Sequence, residues 1–166
     1  PKENTRITTS GIKIQNIQSI EIDTPTGYGK PVIVPSSEFQ KMCKDLNSIG
    51  STNIKVRARD FHIEFEADAD GILKRKVTFG ENEENDDEDD VEMKEYVATF
   101  STEQLVRITK LSGLSSTMQI FPASGDLPLL FKSNIGSLGK ISIYVKSQEL
   151  VEKENLCSEG SDSESD

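Results

Sequence analysis

Residues able to carry acid–base or nucleophilic chemistry are scarce in this chain. His62 is the only histidine among the 166 residues, and histidine is the usual general base near neutral pH. It follows Phe61 at the start of a predicted strand, with no serine or cysteine spaced to serve as its nucleophile. Cys43 and Cys157 are the only cysteines, which leaves too few ligands for a zinc site of the usual spacing. The sequence therefore predicts neither an enzyme nor a metal site, and it implies no cofactor.

Basic side chains recur on the polar faces of two predicted helices. Lys41 and Lys44 lie opposite the apolar stripe of the first helix, and Arg107 and Lys110 lie opposite that of the second. A solvated helix face explains either pair taken alone. Their repetition on two helices favours sequence-independent contact with the phosphates of duplex DNA. Glu103 falls among the bases of the second helix and weakens the contact expected there.

The acidity of the chain is concentrated in two segments. The net charge is −10, but Glu81–Glu92 alone contains nine acids and no base. Residues 151–166 contain six acids and one lysine, so the rest of the chain carries a net charge of +4. Consecutive like charges repel and stay solvated, so we interpret 81–92 as a loop insertion and 151–166 as a disordered acidic tail. The alternative is that both segments dock basic partners, as in an acidic histone-type chaperone or interaction module.

Two rounds of the same layout predict an α+β fold. One helix begins at the capping-box pattern of Ser37 with Gln40, and a second begins at that of Ser101 with Gln104. Three alternating strand patterns follow each helix. This layout predicts two helices on one face of a mostly antiparallel sheet.

Composition shifts divide the chain into three parts. Residues 1–27 are an isoleucine-rich segment that we expect to be extended across a surface, 28–150 form the domain, and 151–166 form the tail. No apolar run approaches the roughly 18 residues that a membrane span needs, so we expect no membrane partner.

A series of short motifs resembles the proliferating cell nuclear antigen (PCNA) family of sliding clamps. The motifs, in family order, are Val34-Pro-Ser-Ser-Glu-Phe39, Leu114-Ser-Ser-Thr117, Asp126-Leu-Pro-Leu129 and Ile143-Tyr144. The resemblance runs from Ile12 to about Glu149 and covers the second half of a clamp with the connector that joins the halves. It implies that residues 1–27 are this interdomain connector and that residues 28–150 are the C-terminal clamp domain. It implies a DNA-clamp (processivity-fold) domain that acts as a DNA polymerase processivity factor without catalysis of its own.

The resemblance also implies the partners. Three two-domain subunits of the family form a ring around duplex DNA and tether proteins of replication and repair. These proteins, DNA polymerase among them, bind through a short motif called the PIP-box, and the ring interacts with a clamp loader. The implied assembly is a homotrimer when a first-half domain is present. It would work in the nucleus, or at a viral replication site if the protein is viral.

Site residues are carried over by position in the resemblance. Its DNA-facing positions match Lys41, Lys44 and Lys110, and Arg107 adds to them. The PIP-box pocket is implied by connector isoleucines, a proline loop and the last strand: Ile17, Ile20, Ile22, Pro128 and Tyr144. The subunit interface is implied on an expected edge strand that carries His62, Glu64, Glu66 and Asp68.

Three positions depart from the family pattern. Lys146-Ser147 stands where the family has Ala-Pro, at the rim of the implied pocket. Arg59 stands at the position of a lysine that ubiquitin modifies in the family. The acidic segment Glu81–Glu92 lengthens a loop that is shorter in typical members.

Overall fold

The computed structural model describes residues 11, 23–59, 62–80, 95–122 and 126–159. The connector isoleucines and the acidic segment 81–92 lie outside the described residues. The described part contains these elements in chain order: β1 (Val32–Pro35), α1 (Ser36–Ser48), β2 (Asn53–Arg59), β3 (His62–Ala69), β4 (Leu73–Gly80), β5 (Tyr96–Ser101), α2 (Thr102–Ile108), a 3-10 helix (Thr109–Gly113), β6 (Thr117–Phe121), β7 (Leu129–Asn134), a 3-10 helix (Gly136–Leu138), β8 (Lys140–Val145) and α3 (Gln148–Glu159).

The strands form two antiparallel sheets of four strands each, with orders β1-β6-β7-β8 and β4-β3-β2-β5. The prediction of an α+β fold with two strand–helix–three-strand rounds is confirmed. The prediction of one sheet is wrong, because the two rounds exchange their leading strands. Strand β1 pairs with β6 of the second round, and β5 pairs with β2 of the first. At one edge of each sheet, the last strand therefore comes from the other round.

Loop carbonyls, not side chains, satisfy the first N–H groups of α1 and α2. The Ser36 N–H donates to the carbonyl of Ser116, and the Thr102 N–H donates to the carbonyl of Thr52, both at 2.9 Å. The capping-box prediction is therefore wrong: Ser37 lies within α1, and the Ser101 side chain forms no capping hydrogen bond. The carbonyl that caps each helix comes from the turn before a strand of the other round. The helix caps are therefore exchanged between the two rounds in the same way as the leading strands.

A single core lies between the helices and the inner faces of both sheets. The Phe39 ring of α1 lies 5.9 Å from that of Phe65 on β3 and 5.6 Å from that of Phe131 on β7, centroid to centroid. Cys43 is fully buried beside these rings, and burial raises the pKa of its thiol to about 12. The thiol is therefore protonated and unreactive at neutral pH. Its role is packing, and the core fixes the helices and sheets relative to one another.

The end of the domain is helical where the sequence analysis predicts disorder. Residues 151–159 belong to α3, so the disordered tail is wrong for this stretch. The Ser147 hydroxyl oxygen accepts a hydrogen bond from the Leu150 N–H at 3.1 Å, and the Ser147 carbonyl accepts one from the Val151 N–H at 3.1 Å. A serine in this position is a favoured helix N-cap, which explains why a helix begins here.

Candidate partner-binding and DNA-facing surfaces

A small apolar cluster lies on the face of the first sheet that points away from the core. The register of β6, β7 and β8 places Phe121, Leu130 and Tyr144 in one row across that face. Leu130 is only 1% exposed, although its neighbours Leu129 and Phe131 supply the core side of the strand. Something on the outer face must therefore cover Leu130. We call Tyr28, Phe121, Leu130 and Tyr144 the outer-face cluster.

Tyr28, which precedes β1, covers this row. Its ring centroid lies 6.3 Å from that of Phe121 in an edge-on arrangement and 6.4 Å from that of Tyr144. Its hydroxyl donates a 2.7 Å hydrogen bond to the carbonyl of Pro128. Burial, with a smaller contribution from Tyr144, raises the pKa of Tyr28 to about 12, so the phenol keeps its proton at neutral pH. Tyr28 thus ties the segment before β1 to the proline loop before β7.

A basic side chain and an exposed apolar side chain border the outer-face cluster. The Lys132 ammonium lies 4.9 Å from the centre of the Phe121 ring, a cation–π contact. Ile33, in the adjoining cross-strand row, is 62% exposed. Aromatic rings with a polar rim can bind an apolar or aromatic segment of another protein, because such rings bury a large area at low entropic cost.

The structure brings together two of the five predicted pocket residues. Pro128 and Tyr144 both contact Tyr28, whereas Ile17, Ile20 and Ile22 lie outside the described residues. The sequence analysis missed Tyr28, Phe121 and Leu130. The uninterrupted apolar run Leu129–Phe131 could have indicated a strand buried on both faces, since a half-buried strand alternates. No comparable signal marks Tyr28.

All four predicted DNA-facing residues are exposed, and all lie on the helix side of the domain. Lys41 and Lys44 project from α1, Arg107 from α2, and Lys110 from the 3-10 helix that follows it. Arg107 forms an i,i+4 ion pair with Glu103, as the spacing of the two residues allows. Part of its charge is therefore neutralised, whereas the lysines of α1 remain available to an anionic partner.

The expected edge strand is an interior strand. Strand β3, with His62, Glu64, Glu66 and Asp68, is paired to β2 on one side and to β4 on the other. It therefore cannot offer free backbone groups to another subunit, and its assignment as the edge is wrong. The edge strand of the described sheet on this side is β4. The prediction is wrong by one strand, because the chain turns back after β3 and β4 pairs along the outer side of β3.

The acids of β3 instead hold β4 and β2 in place. Glu64 accepts one hydrogen bond from Arg57 at 3.0 Å and forms an ion pair with Lys76 at 2.8 Å. Glu66 forms ion pairs with Arg57 at 3.0 Å and with Lys74 at 3.4 Å. Burial opposes ionisation of both carboxyls, but these partners outweigh it and lower the pKa of each. The five side chains form a cross-strand ion-pair network on the outer face of the second sheet.

The described part of the chain does not cover the apolar residues at the start of strand β4. Ile72 is 90% exposed and Leu73 is 45% exposed at the β3–β4 turn. On the core side of the strand, the Arg75 guanidinium donates a 3.2 Å hydrogen bond to the carbonyl of Asp45 in α1. Open backbone groups beside exposed apolar side chains are the features of a strand that can pair with another chain.

Two features are absent from the described residues. Within residues 23–59, 62–80, 95–122 and 126–159, no three histidine, cysteine, aspartate or glutamate side chains are grouped to hold a metal ion. In the same ranges no helix is long and apolar enough to cross a membrane.

The two strand–helix–three-strand rounds exchange their leading strands, and basic side chains project from the helix side of the domain, opposite the sheets. This arrangement defines a clamp-type domain. The family model described as "Proliferating cell nuclear antigen, C-terminal domain" matches residues 23–148. The chain belongs to the proliferating cell nuclear antigen family.

Two curated relatives share most of this chain. "Probable DNA polymerase sliding clamp 1" of Paramecium bursaria Chlorella virus 1 is 25% identical over 152 residues, which cover 86% of this chain and 55% of the viral protein. "Proliferating cell nuclear antigen" of Chaetomium thermophilum is 28% identical over 148 residues, which cover 86% of this chain and 56% of the fungal protein. The chain thus spans a little over half the length of these relatives. The names of these relatives support the interpretation of the chain as part of a sliding clamp and give no support to the histone-chaperone alternative.

Proposed function

We propose that this chain is the second half of a DNA sliding clamp, a processivity factor that holds DNA polymerase on duplex DNA and has no catalysis of its own. The observation that carries the proposal is the outer-face cluster, in which Tyr28 and Tyr144 lie over Leu130 beside Pro128. In a domain of this family, a cluster of half-buried aromatic rings on the outer face suits the aromatic residues of a PIP-box.

The opposite side of the domain supports the DNA part of the proposal. Lys41, Lys44 and Lys110 are exposed on the helix layer, where ammonium groups can contact phosphates without reading sequence. Such contacts are individually weak and depend on salt. A weak, sequence-independent grip suits a protein that must slide along DNA and leaves retention to the closed ring.

The edge of the second sheet supports assembly with another clamp domain. Strand β4 has one unpaired side in the described structure, with Ile72 and Leu73 exposed at its start. We infer that β4, rather than β3, pairs with a strand of a first-half domain in a homotrimeric ring. A clamp loader and several PIP-box proteins are the further partners of such a ring. Its place of action is the nucleus or a viral replication site.

A fluorescence-anisotropy titration with a labelled PIP-box peptide tests the proposal. We expect saturable one-to-one binding by the chain and a loss of at least tenfold in affinity for Tyr144→Ala, since truncating a central aromatic residue of an interface typically costs about 2 kcal/mol or more. Ser142→Ala is the matched control, because Ser142 lies two residues earlier on the same strand and is exposed. Equal affinity of the wild-type chain and Tyr144→Ala would overturn the assignment of this surface.

A further inference from the structure

Two residues separate helix α3 from the last strand. Ser147 is the residue whose hydroxyl caps the helix. The Lys146 ammonium then reaches forward to the Glu154 carboxylate at 2.6 Å, which links the end of β8 to the second turn of the helix. Helix α3 is therefore held at its N-terminus by the Ser147 cap and by the ion pair of Lys146 with Glu154.

The first turn of α3 is bound to the second sheet. Both carboxylate oxygens of Glu149 accept hydrogen bonds from the Thr99 N–H, at 3.0 and 3.1 Å. This N–H belongs to β5, an edge strand of the described sheet. Gln148 adds a 2.6 Å hydrogen bond to the Asn53 side chain at the start of β2. Burial opposes ionisation of Glu149, but its hydrogen bonds outweigh burial and lower its pKa, so the carboxylate is charged at neutral pH.

The middle of α3 is bound to the loop that precedes β7. The Lys153 ammonium lies 2.5 Å from a carboxylate oxygen of Asp126, and this contact raises the pKa of Lys153. Asp126 stands two residues before Pro128, whose carbonyl accepts the Tyr28 hydrogen bond. The same helix is therefore tied on one side to β5 and on the other to the wall of the outer-face cluster.

We propose that α3 is a strap that positions the Asp126–Pro128 loop, and through it the outer-face cluster, with Glu149 and Lys153 as its two positioning residues. Glu149 anchors the strap to the second sheet, and Lys153 transmits that position to the loop. The strap rests on the proposed function, because the outer-face cluster is the surface that it shapes. It makes partner affinity depend on side chains that need not touch the partner.

Hydrogen–deuterium exchange tests the two anchors without any partner. Glu149→Ala should raise the exchange rate of the Thr99 amide by about tenfold or more, because it removes the acceptor of that N–H on an edge strand. Glu149→Ala and Lys153→Ala should both raise exchange at the amides of residues 127 and 129–130. Glu152→Ala, a substitution of an exposed acid on the same helix, is the matched control and should leave both regions unchanged.

Peptide affinity and a charge exchange provide the second readout. We expect Lys153→Asp to weaken PIP-box peptide binding about threefold, the size of effect typical for one exposed ion pair. The double variant Lys153→Asp with Asp126→Lys should restore the affinity, which a loss of helix stability alone would not allow. The proposal that α3 is a strap would be overturned if Glu149→Ala and Lys153→Asp left both the peptide affinity and the hydrogen–deuterium exchange at residues 127 and 129–130 unchanged.

The two proposals fail in different ways. If the wild-type chain does not bind the peptide, the proposed partner surface is wrong, and the loop exchange of the Glu149 and Lys153 variants still decides whether α3 positions the loop. If the wild-type chain binds and the variants bind equally with unchanged loop exchange, the partner surface stands and the strap is wrong.

Discussion

Lysine side chains on α1 offer the most direct residue-level test of the proposed DNA-facing surface. Lys41→Ala combined with Lys44→Ala should weaken duplex DNA binding and lower the slope of log affinity against log salt by about 2, since each phosphate contact contributes about 0.9. The measurement is anisotropy of a labelled duplex at several salt concentrations.

Two lysines on the other side of the sheets provide the control for charge alone. Lys55 and Lys140 are exposed, and their register places them on strand faces that point away from the core. Lys55→Ala with Lys140→Ala removes the same charge and should leave the salt slope near that of the wild-type chain. Equal slopes for the two double variants would contradict a specific helix surface.

At the residue scale, features that follow from periodicity or motifs could be predicted from the sequence, whereas features that depend on tertiary packing could not. The exposure of Lys41 and Lys44 follows from helical spacing, so it could be predicted. The cover over Leu130 could not, because it depends on Tyr28, which is distant in sequence and carries no periodic pattern. The ion pair of Arg107 with Glu103 lies between these cases, since the spacing allows it but does not require it.

At the element scale, the ion-pair network around β3 predicts how the domain responds to acid. The pKa values of Glu64 and Glu66 are lowered in the folded chain by Arg57, Lys74 and Lys76, against the effect of burial. A lowered folded-state pKa gives stability that is present above the unfolded-state pKa and is lost as pH falls through the folded-state value. The free energy of unfolding should therefore drop as the pH falls below the usual glutamate range.

Urea unfolding at neutral and acid pH measures this contribution. The double variant Glu64→Gln with Glu66→Gln should be less stable than the wild-type chain at pH 7, and the difference should shrink as the pH falls toward 3. Glu38→Gln, on the exposed side of α1, is the control for loss of one acid. A difference that stays constant with pH would contradict the assignment of this acid response to the network.

Most of the helices and strands could be predicted from the sequence, whereas the pairing of the strands could not. The two helices and the three strands that follow each of them were predicted and are confirmed. The exchange of β1 and β5 between sheets was not, because each of these strands fits either neighbour by its own pattern. Helix α3 was missed because acidic composition outweighed the N-cap signal of Ser147.

At the scale of the whole molecule, the fold separates two surfaces. The core of Phe39, Phe65 and Phe131 holds the helices against the inner faces of the sheets. The basic side chains are thereby directed to one side and the outer-face cluster to another. This separation suits the proposed clamp function, because partners could then bind without obstructing the helices proposed to face DNA.

Hydrogen–deuterium exchange with and without a PIP-box peptide tests this separation most directly. The account predicts that the peptide slows exchange at residues 127, 129–130 and 143–145 and leaves the amides of α1 and α2 unchanged. Tyr144→Ala should abolish that protection. Protection that falls on α1 and α2, or that survives in Tyr144→Ala, would contradict the central claim that the outer-face cluster is the partner site of a sliding clamp.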